Sequence, residues 1–302
     1  MGVLQWRNTP EVLNWFKNIT HRKTKIFFKF DIVSFYPSIT KELLQKSMEF
    51  ASEDCGLKIP KNEIEIIMHS CETFLFHDGK PWVKKGGRGQ FDVPMGSFNG
   101  AEICEMVGLY ILNAMTKGPK PIFRKNEVGL YRDDGLGVIP ERGCSTRDLN
   151  RRLKKLFIDM GLSITTDTGM KCTDFLDVKL DLNNGEFCPF RKPNDNPLYI
   201  DINSDHPPKI KKQLKNMIQK RLSTLSSSKA VFDREKTIYE TALKNAGHQH
   251  NLEYMEPEEP KKRKRRRKLL YYNPPYSSSI QTDIGRQFIL LMEKHFQKPP
   301  PS

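Results

Sequence analysis

The chain has 302 residues, 37% of them hydrophobic, enough to bury a real core in one large domain or two smaller ones. Lys and Arg number 50 against 36 Asp and Glu, for a formal charge of +14 and a pI near 9.4, a balance suited to a polyphosphate partner. No apolar run approaches the roughly 20 residues that span a bilayer, Met1-Gly2-Val3 does not open a signal peptide, and the six scattered cysteines form no C-x-x-C pair. A soluble protein with reduced thiols, in the nucleus or the cytoplasm and without a membrane partner, is expected.

Ile26 to Val33 is an aromatic and β-branched run of strand length, ended by the turn Ser34-Phe35-Tyr36-Pro37. Thr40 reads as the N-cap of a helix carrying Leu43, Leu44 and Met48, and a second helix is expected over Glu63 to Phe74. The basic, glycine-rich loop Lys84 to Gly89 precedes a long helix from Ala101 to Met115. Glu127 to Val138 reads as a hairpin with Asp133 and Asp134 at its tip. Leu149 to Met160 reads as an amphipathic helix stopped by Gly161. Phe175 to Asp181 and Glu186 to Phe190 flank Asn183-Asn184-Gly185, a hairpin turn signal. Beyond Pro207-Pro208 come two helices, one marked by Ile210, Leu214, Ile218 and Leu222, the other capped by Ser228. Lys261 to Lys268 is an unbroken basic octet, too self-repelling to be buried. The alternation of strands and helices predicts an α+β domain followed by a small helical one.

Asp31 closes one strand and Asp133-Asp134 tips a hairpin, so two such elements side by side in one sheet would cluster carboxylates. Hard divalent ions take oxygen ligands. Two of them about 4 Å apart stabilise the charge that develops when a 3′-oxygen displaces pyrophosphate.

The residues Phe30-Asp31-Ile32-Val33-Ser34-Phe35-Tyr36-Pro37-Ser38-Ile39 resemble motif A of reverse transcriptases. Pro94-Met95-Gly96-Ser97 resembles motif B, and Tyr131-Arg132-Asp133-Asp134-Gly135-Leu136 resembles motif C. Gly161 to Ile164 with Lys171 looks like motif D, and Phe175 to Val178 like the start of the primer-grip hairpin of motif E. Three principal motifs in the right order are far more specific than any one. A closer likeness, to Penelope-like retroelement polymerases, rests on Arg191-Lys192-Pro193, Ser204 to Pro208, Lys220 to Ser223 and Tyr272 to Ser277.

The resemblance implies an antiparallel palm sheet packed on helices over residues 28–200, a helical thumb over 201–252 and a basic linker or tail over 253–302. It makes residues 1–27 a remnant of the fingers, whose main part is expected to be missing along with a GIY-YIG endonuclease. Asp31 and Asp133 become bridging ligands of two Mg²⁺ ions, with Mn²⁺ as a substitute, Asp134 an accessory ligand, and the Ile32 carbonyl a ligand of the second ion. Tyr36 becomes the steric gate against a 2′-hydroxyl, Gly96 and Ser97 contacts of the incoming nucleotide, and Lys171 a proton donor to the leaving group. Arg132 departs from the family pattern and either meets the primer backbone or pairs with a carboxylate. Lys211, Lys215, Lys220 and Arg221 give a thumb surface for duplex phosphates. The partners implied are an RNA template, a DNA primer and deoxynucleoside triphosphates. A catalytically inactive nucleic-acid-binding remnant stays open as an alternative, and the octet at 261–268 stays open between nuclear signal, phosphate contact and solvated linker.

Overall fold

The structure, a computed structural model, describes residues 3–53, 56, 59–73, 75–82, 91–117, 121–143, 145–256, 279 and 284–295. It divides into two compact units, Met1–Phe190 and Arg191–Ser302.

The first unit opens with a short strand β1 (Leu4–Gln5) and a helix α1 (Thr9–Lys17), followed by β2 (Lys25–Ile32). Next come α2 (Phe35–Ser38), α3 (Lys41–Glu53), α4 (Lys61–Ser70), the exposed ribbon β3 (Leu75–His77) and β4 (Lys80–Trp82), and the long helix α5 (Gly100–Lys117). Then follow β5 (Val128–Tyr131), β6 (Asp134–Pro140), α6 (Thr146–Asp159), β7 (Ile164–Met170), β8 (Cys172–Phe175), β9 (Val178–Asp181) and β10 (Phe187–Pro189). The main sheet runs β1-β5-β6-β2-β7, antiparallel apart from β1 on β5, and β10-β9-β8 form a smaller sheet. This is the expected α+β architecture, a sheet packed on helices.

β2 lies between β6 and β7 and is buried on both faces, which is why it reads as a nearly continuous apolar run. Alternation sends Ile26, Phe28, Phe30 and Ile32 to one face. There they join Leu44 and Met48 of α3, Val107 and Ile111 of α5, and Leu153 and Phe157 of α6 in one core. The opposite face presents Phe27, stacked 6.2 Å from Phe16 of α1, and Phe16 in turn meets Phe187 of β10 edge-on. Phe175 of β8 packs 5.5 Å from Trp6, whose indole lies over Gly129 of β5. Gly169, at φ 87, accompanies the register shift between β7 and β2.

Local signals set several helix starts. Thr40 Oγ1 accepts the Leu43 N–H at 3.1 Å, and Ser145 and Ser228 cap α6 and the helix Lys229–Asn245 in the same way. Gly161, at φ 75, stops α6 as expected. Two expectations need correction. The helix placed over 63–74 ends at Ser70, because the chain leaves it so that Glu72 can bridge to Phe91; Phe74 lies outside the described residues. The single strand placed over 175–181 is broken by a turn at Leu176, whose φ is 54, so β8 and β9 form a hairpin and β9 then pairs with β10.

In the second unit α7 (Pro208–Thr224) packs on α8 (Lys229–Asn245), and α9 (Ile284–His295) follows later in the chain. Leu214, Ile218, Leu222, Phe232, Leu243 and Leu252 form its core. Lys84 to Gly89, the octet at 261–268 and Tyr272 to Ser277 lie outside the described residues. No helix among the described residues is long and apolar enough to cross a membrane.

Candidate active site

β2 and β6 pair with Asp31 directly opposite Asp134. Opposed residues share a face, with Cβ atoms about 5 Å apart, and like charges so placed repel. Burial, then Asp133, then Asp31, push the Asp134 carboxyl up to about 6, against the opposing influence of Lys29, and Asp134 shares a hydrogen bond with Asp31. A carboxyl made easier to protonate by its acidic neighbours signals local negative charge without a matching cation.

Asp133 sits one residue earlier, in the two-residue turn with Arg132 that joins β5 to β6. Its carbonyl accepts the Ile32 N–H at 3.0 Å, tying the turn to the end of β2. The structure therefore brings Asp134, rather than Asp133, face to face with Asp31, and both members of the acidic pair stand at that end of β2. The Ile32 side chain is buried in the core, so only its backbone is offered to the site. Arg132 takes a left-handed backbone, φ 53, is exposed, and lies 5.7 Å from the Tyr131 ring; it forms no ion pair among the described residues.

Gly135 explains how the acidic turn fits over the core. It opposes Phe30, and a Cβ built on it would fall 2.0 Å from the Phe30 ring. Only glycine lets this ring lie beneath β6.

Ser34, at φ 49, turns the chain from β2 into α2, burying Phe35 in the core and leaving Tyr36 half-buried. The Tyr36 hydroxyl is hydrogen-bonded to Cys104 of α5; burial and then Cys104 raise it above the ordinary tyrosine range, and Asp133 adds to the rise. Burial likewise pushes the Cys104 thiol up to about 12, so this partner is a neutral thiol. Of the two aromatic candidates after Asp31, Phe35 is core and Tyr36 reaches the acidic turn.

Pro94 to Ser97 form a turn, closed by the Ser97 N–H on the Pro94 carbonyl at 3.1 Å. Gly96 occupies the position that needs a positive φ, here 91. The Ser97 hydroxyl is buried with no hydrogen-bond partner. A Cβ on Gly100 would lie 2.5 Å from Ser97 Oγ and 3.6 Å from Tyr36 Cε1, so Gly100 lets this loop close onto Tyr36. Sequence reasoning missed Gly100 and Cys104; the only signal was their place on the first turns of α5.

Lys171 is not brought to the carboxylates. Its ammonium donates to the carbonyls of Lys23 and Lys25 at 2.9 and 2.8 Å and pairs with Glu141 at 2.7 Å. Those groups stand at the start of β2, six residues from Asp31, or about 20 Å along a strand. A role in protonating a leaving group is corrected accordingly.

In the second unit Lys211 donates to the carbonyls of Ile202 and Ser204, and Lys215 stands 3.8 Å from Glu253. Lys220 and Arg221 are exposed on α7.

Among the described residues no three His, Cys, Asp or Glu side chains converge into a closed cage. Mg²⁺, however, is commonly held by one or two carboxylates with substrate oxygens and waters completing its shell. Asp31 and Asp134 supply such a pair, with surplus negative charge, and fit an ion of that kind.

No protein-family model matches the chain, and no curated protein matches it in sequence. Solved structures do. Telomerase from Candida albicans, in complex with a TWJ fragment of telomeric RNA, aligns over 81% of this chain and 42% of its own at 13% identity and a TM-score of 0.51. Telomerase from Candida tropicalis aligns over 82% of this chain and 47% of its own at 13% identity and a TM-score of 0.47. The RNA-dependent RNA polymerase of BmCPV at elongation state aligns over 73% and 21% at 12% identity and a TM-score of 0.38. The first of these shows that the chain has a reverse-transcriptase-like polymerase fold. The chain spans less than half the length of that telomerase.

Proposed function

We propose that this chain is part of an RNA-directed DNA polymerase, extending a DNA primer on an RNA template with deoxynucleoside triphosphates. The observation that carries the reading is the Asp31–Asp134 pair, opposed across β2 and β6 and joined by a hydrogen bond beside the Asp133 turn. Bound Mg²⁺ or Mn²⁺ would supply charge stabilisation at the attacking and leaving oxygens. Asp31 and Asp134 would hold the ions, with Asp133 and the Ile32 backbone at the same end of the strand. Tyr36, braced by Cys104, supplies a planar wall that clashes with one extra oxygen on a ribose. Lys220 and Arg221 offer cations to a phosphate backbone without reading sequence. The telomerase likeness supports an RNA partner, and the motifs at Arg191-Lys192-Pro193 and Ser204 to Pro208 support a retroelement of the Penelope-like kind.

The test is primer extension by the full chain on an RNA template in Mg²⁺ and in Mn²⁺. Metal-dependent extension, abolished in Asp31→Asn and Asp134→Asn with circular dichroism unchanged, is the expected result. Salt-sensitive primer–template binding with no extension in either metal would overturn the reading and reduce the chain to a nucleic-acid-binding remnant.

A further inference from the structure

The sheet face that carries Asp31 is covered in its lower rows and open at the top. Phe27 lies under Phe16 of α1. One row up, Lys29, Leu136 and Gly129 stand in register, and Trp6 with Phe175 closes over the Gly129 end. The next row is Asp31, Asp134 and Tyr131, which remains partly exposed. Lys29 thus stands at the rim where the cover stops.

The edge of that cover is the β8–β9 hairpin, and two lysines hold it to β2. Lys171, immediately before β8, donates to the carbonyls of Lys23 and Lys25 and pairs with Glu141. Asp174, near the end of β8, accepts from Lys29 through its carbonyl at 3.2 Å and pairs with it through its carboxylate at 3.5 Å. From the first anchor to the second, β8 advances three residues while β2 advances four. The hairpin therefore runs alongside β2 toward Asp31, and its turn at Leu176–Asp177 points to the carboxylate end. Thr9 at the start of α1 steadies that turn through a hydrogen bond to Asp177.

We propose that Lys29 and Lys171 are positioning residues: they anchor the β8–β9 hairpin, which the resemblance makes the primer grip, alongside β2, so that a primer terminus held there meets Asp31 and Asp134 in line. The assignment rests on the polymerase reading for its catalytic consequence, and on geometry alone for the anchoring. Displacement of a reacting terminus by about 1 Å can cost a factor of about a hundred, so a loosened hairpin should slow the chemical step while leaving strand affinity nearly intact.

The experiment uses the full chain with Lys29→Met, Asp174→Ala, their combination, Lys171→Met and the conservative Lys29→Arg. Two readouts are taken: single-nucleotide extension resolved into kcat and primer–template Kd, and amide hydrogen exchange over residues 172–189. Lys29→Met and Asp174→Ala are each expected to lower kcat about tenfold, to leave Kd within about twofold, and to speed exchange in the hairpin. The combination should be no worse than either single change, and Lys29→Arg should restore both readouts. Lys171→Met should speed exchange at the other end of the hairpin. A defect in Lys29→Met that Asp174→Ala does not share would overturn the proposal, since Lys29 would then act through its charge on the carboxylates. Unchanged hairpin exchange in both variants would also overturn it. A wild-type chain that extends nothing in either metal would sink the polymerase reading, while the exchange measurement would still decide the anchoring.

Discussion

Replacing Gly135 with alanine should separate packing from chemistry at the acidic hairpin. The added Cβ would fall 2.0, 2.2 and 2.4 Å from three atoms of the Phe30 ring, where ordinary contact begins near 3.4 Å, so ring and strand must part by more than 1 Å. The ring has little room to yield, because it is 1% exposed and packed 5.6 Å from Phe157 and 6.2 Å from Phe28. β6 is equally confined, being paired on both sides by β5 and β2. Overpacking of this kind costs about 1–3 kcal/mol, or roughly 2–12 °C in the melting temperature of a unit this size. Denaturant unfolding of Gly135→Ala should show the loss, and extension should fall further than stability does, because the neighbour of Gly135 is Asp134. Shrinking the ring as well, in Gly135→Ala with Phe30→Leu, should cost less than the sum of the single changes, since the two share one contact. Gly285→Ala, with nothing within 4 Å of its Cβ, is the control and should leave the first unit untouched. Strict additivity, or an unchanged transition in Gly135→Ala, would refute the account of why glycine stands there.

Three further outcomes are expected. Because the Asp134 carboxyl holds its proton up to about 6 in the fold but loses it near 3.8 when unfolded, it contributes stability below that lower value that is lost as pH rises through about 6. Discounted for partial exposure, the loss is about 1–2 kcal/mol, and metal-free Asp134→Asn should show a flatter pH profile than wild type in denaturant unfolding; parallel profiles would contradict the raised Asp134 carboxyl. Tyr36→Ala should raise ribonucleotide over deoxyribonucleotide incorporation, read as the ratio of kcat/KM values, and an unmoved ratio would make Tyr36 a packing residue. Lys220→Ala with Arg221→Ala should weaken primer–template binding alike for all sequences and lower the slope of log Kd against log salt by up to about 2; an unchanged slope would remove these side chains from the phosphate contact.

Elements that announce themselves locally were legible in the sequence. The run Ile26 to Val33 is a strand because nothing in it is polar except Lys29 and Asp31, and Thr40 and Ser228 are caps whose bonds lie within one helical turn. What escaped depended on distant partners. β1 is two residues long and has no periodicity to read; it exists because β5 offers it an edge. The signals for α1 were present in Asn8, Pro10 and Glu11, with Asn8 accepting the Glu11 N–H, but they stand before the recognisable motifs. Leu176 looks like one more apolar strand residue until its backbone reverses. Lys171 fitted a motif by spacing, whereas its ammonium is claimed by Lys23, Lys25 and Glu141, none of them near it in sequence. Adjacent aspartates cannot say which of them faces Asp31; register alone decides that for Asp134.

That register decision links the site to the core. Because strand side chains alternate, a slip of β2 by one residue would carry Asp31 into the packing of Phe157 and Leu153 and expel Phe28 and Phe30 to the opposite face. Fully burying each such aromatic is worth about 1.5–3 kcal/mol, while opposing Asp31 to Asp134 costs on the order of 1 kcal/mol or less. Packing therefore outweighs the repulsion and holds the carboxylates together in spite of it. The same rings that stabilise the fold set which aspartates meet, and the unrelieved charge left between them is what a divalent ion would gain by neutralising.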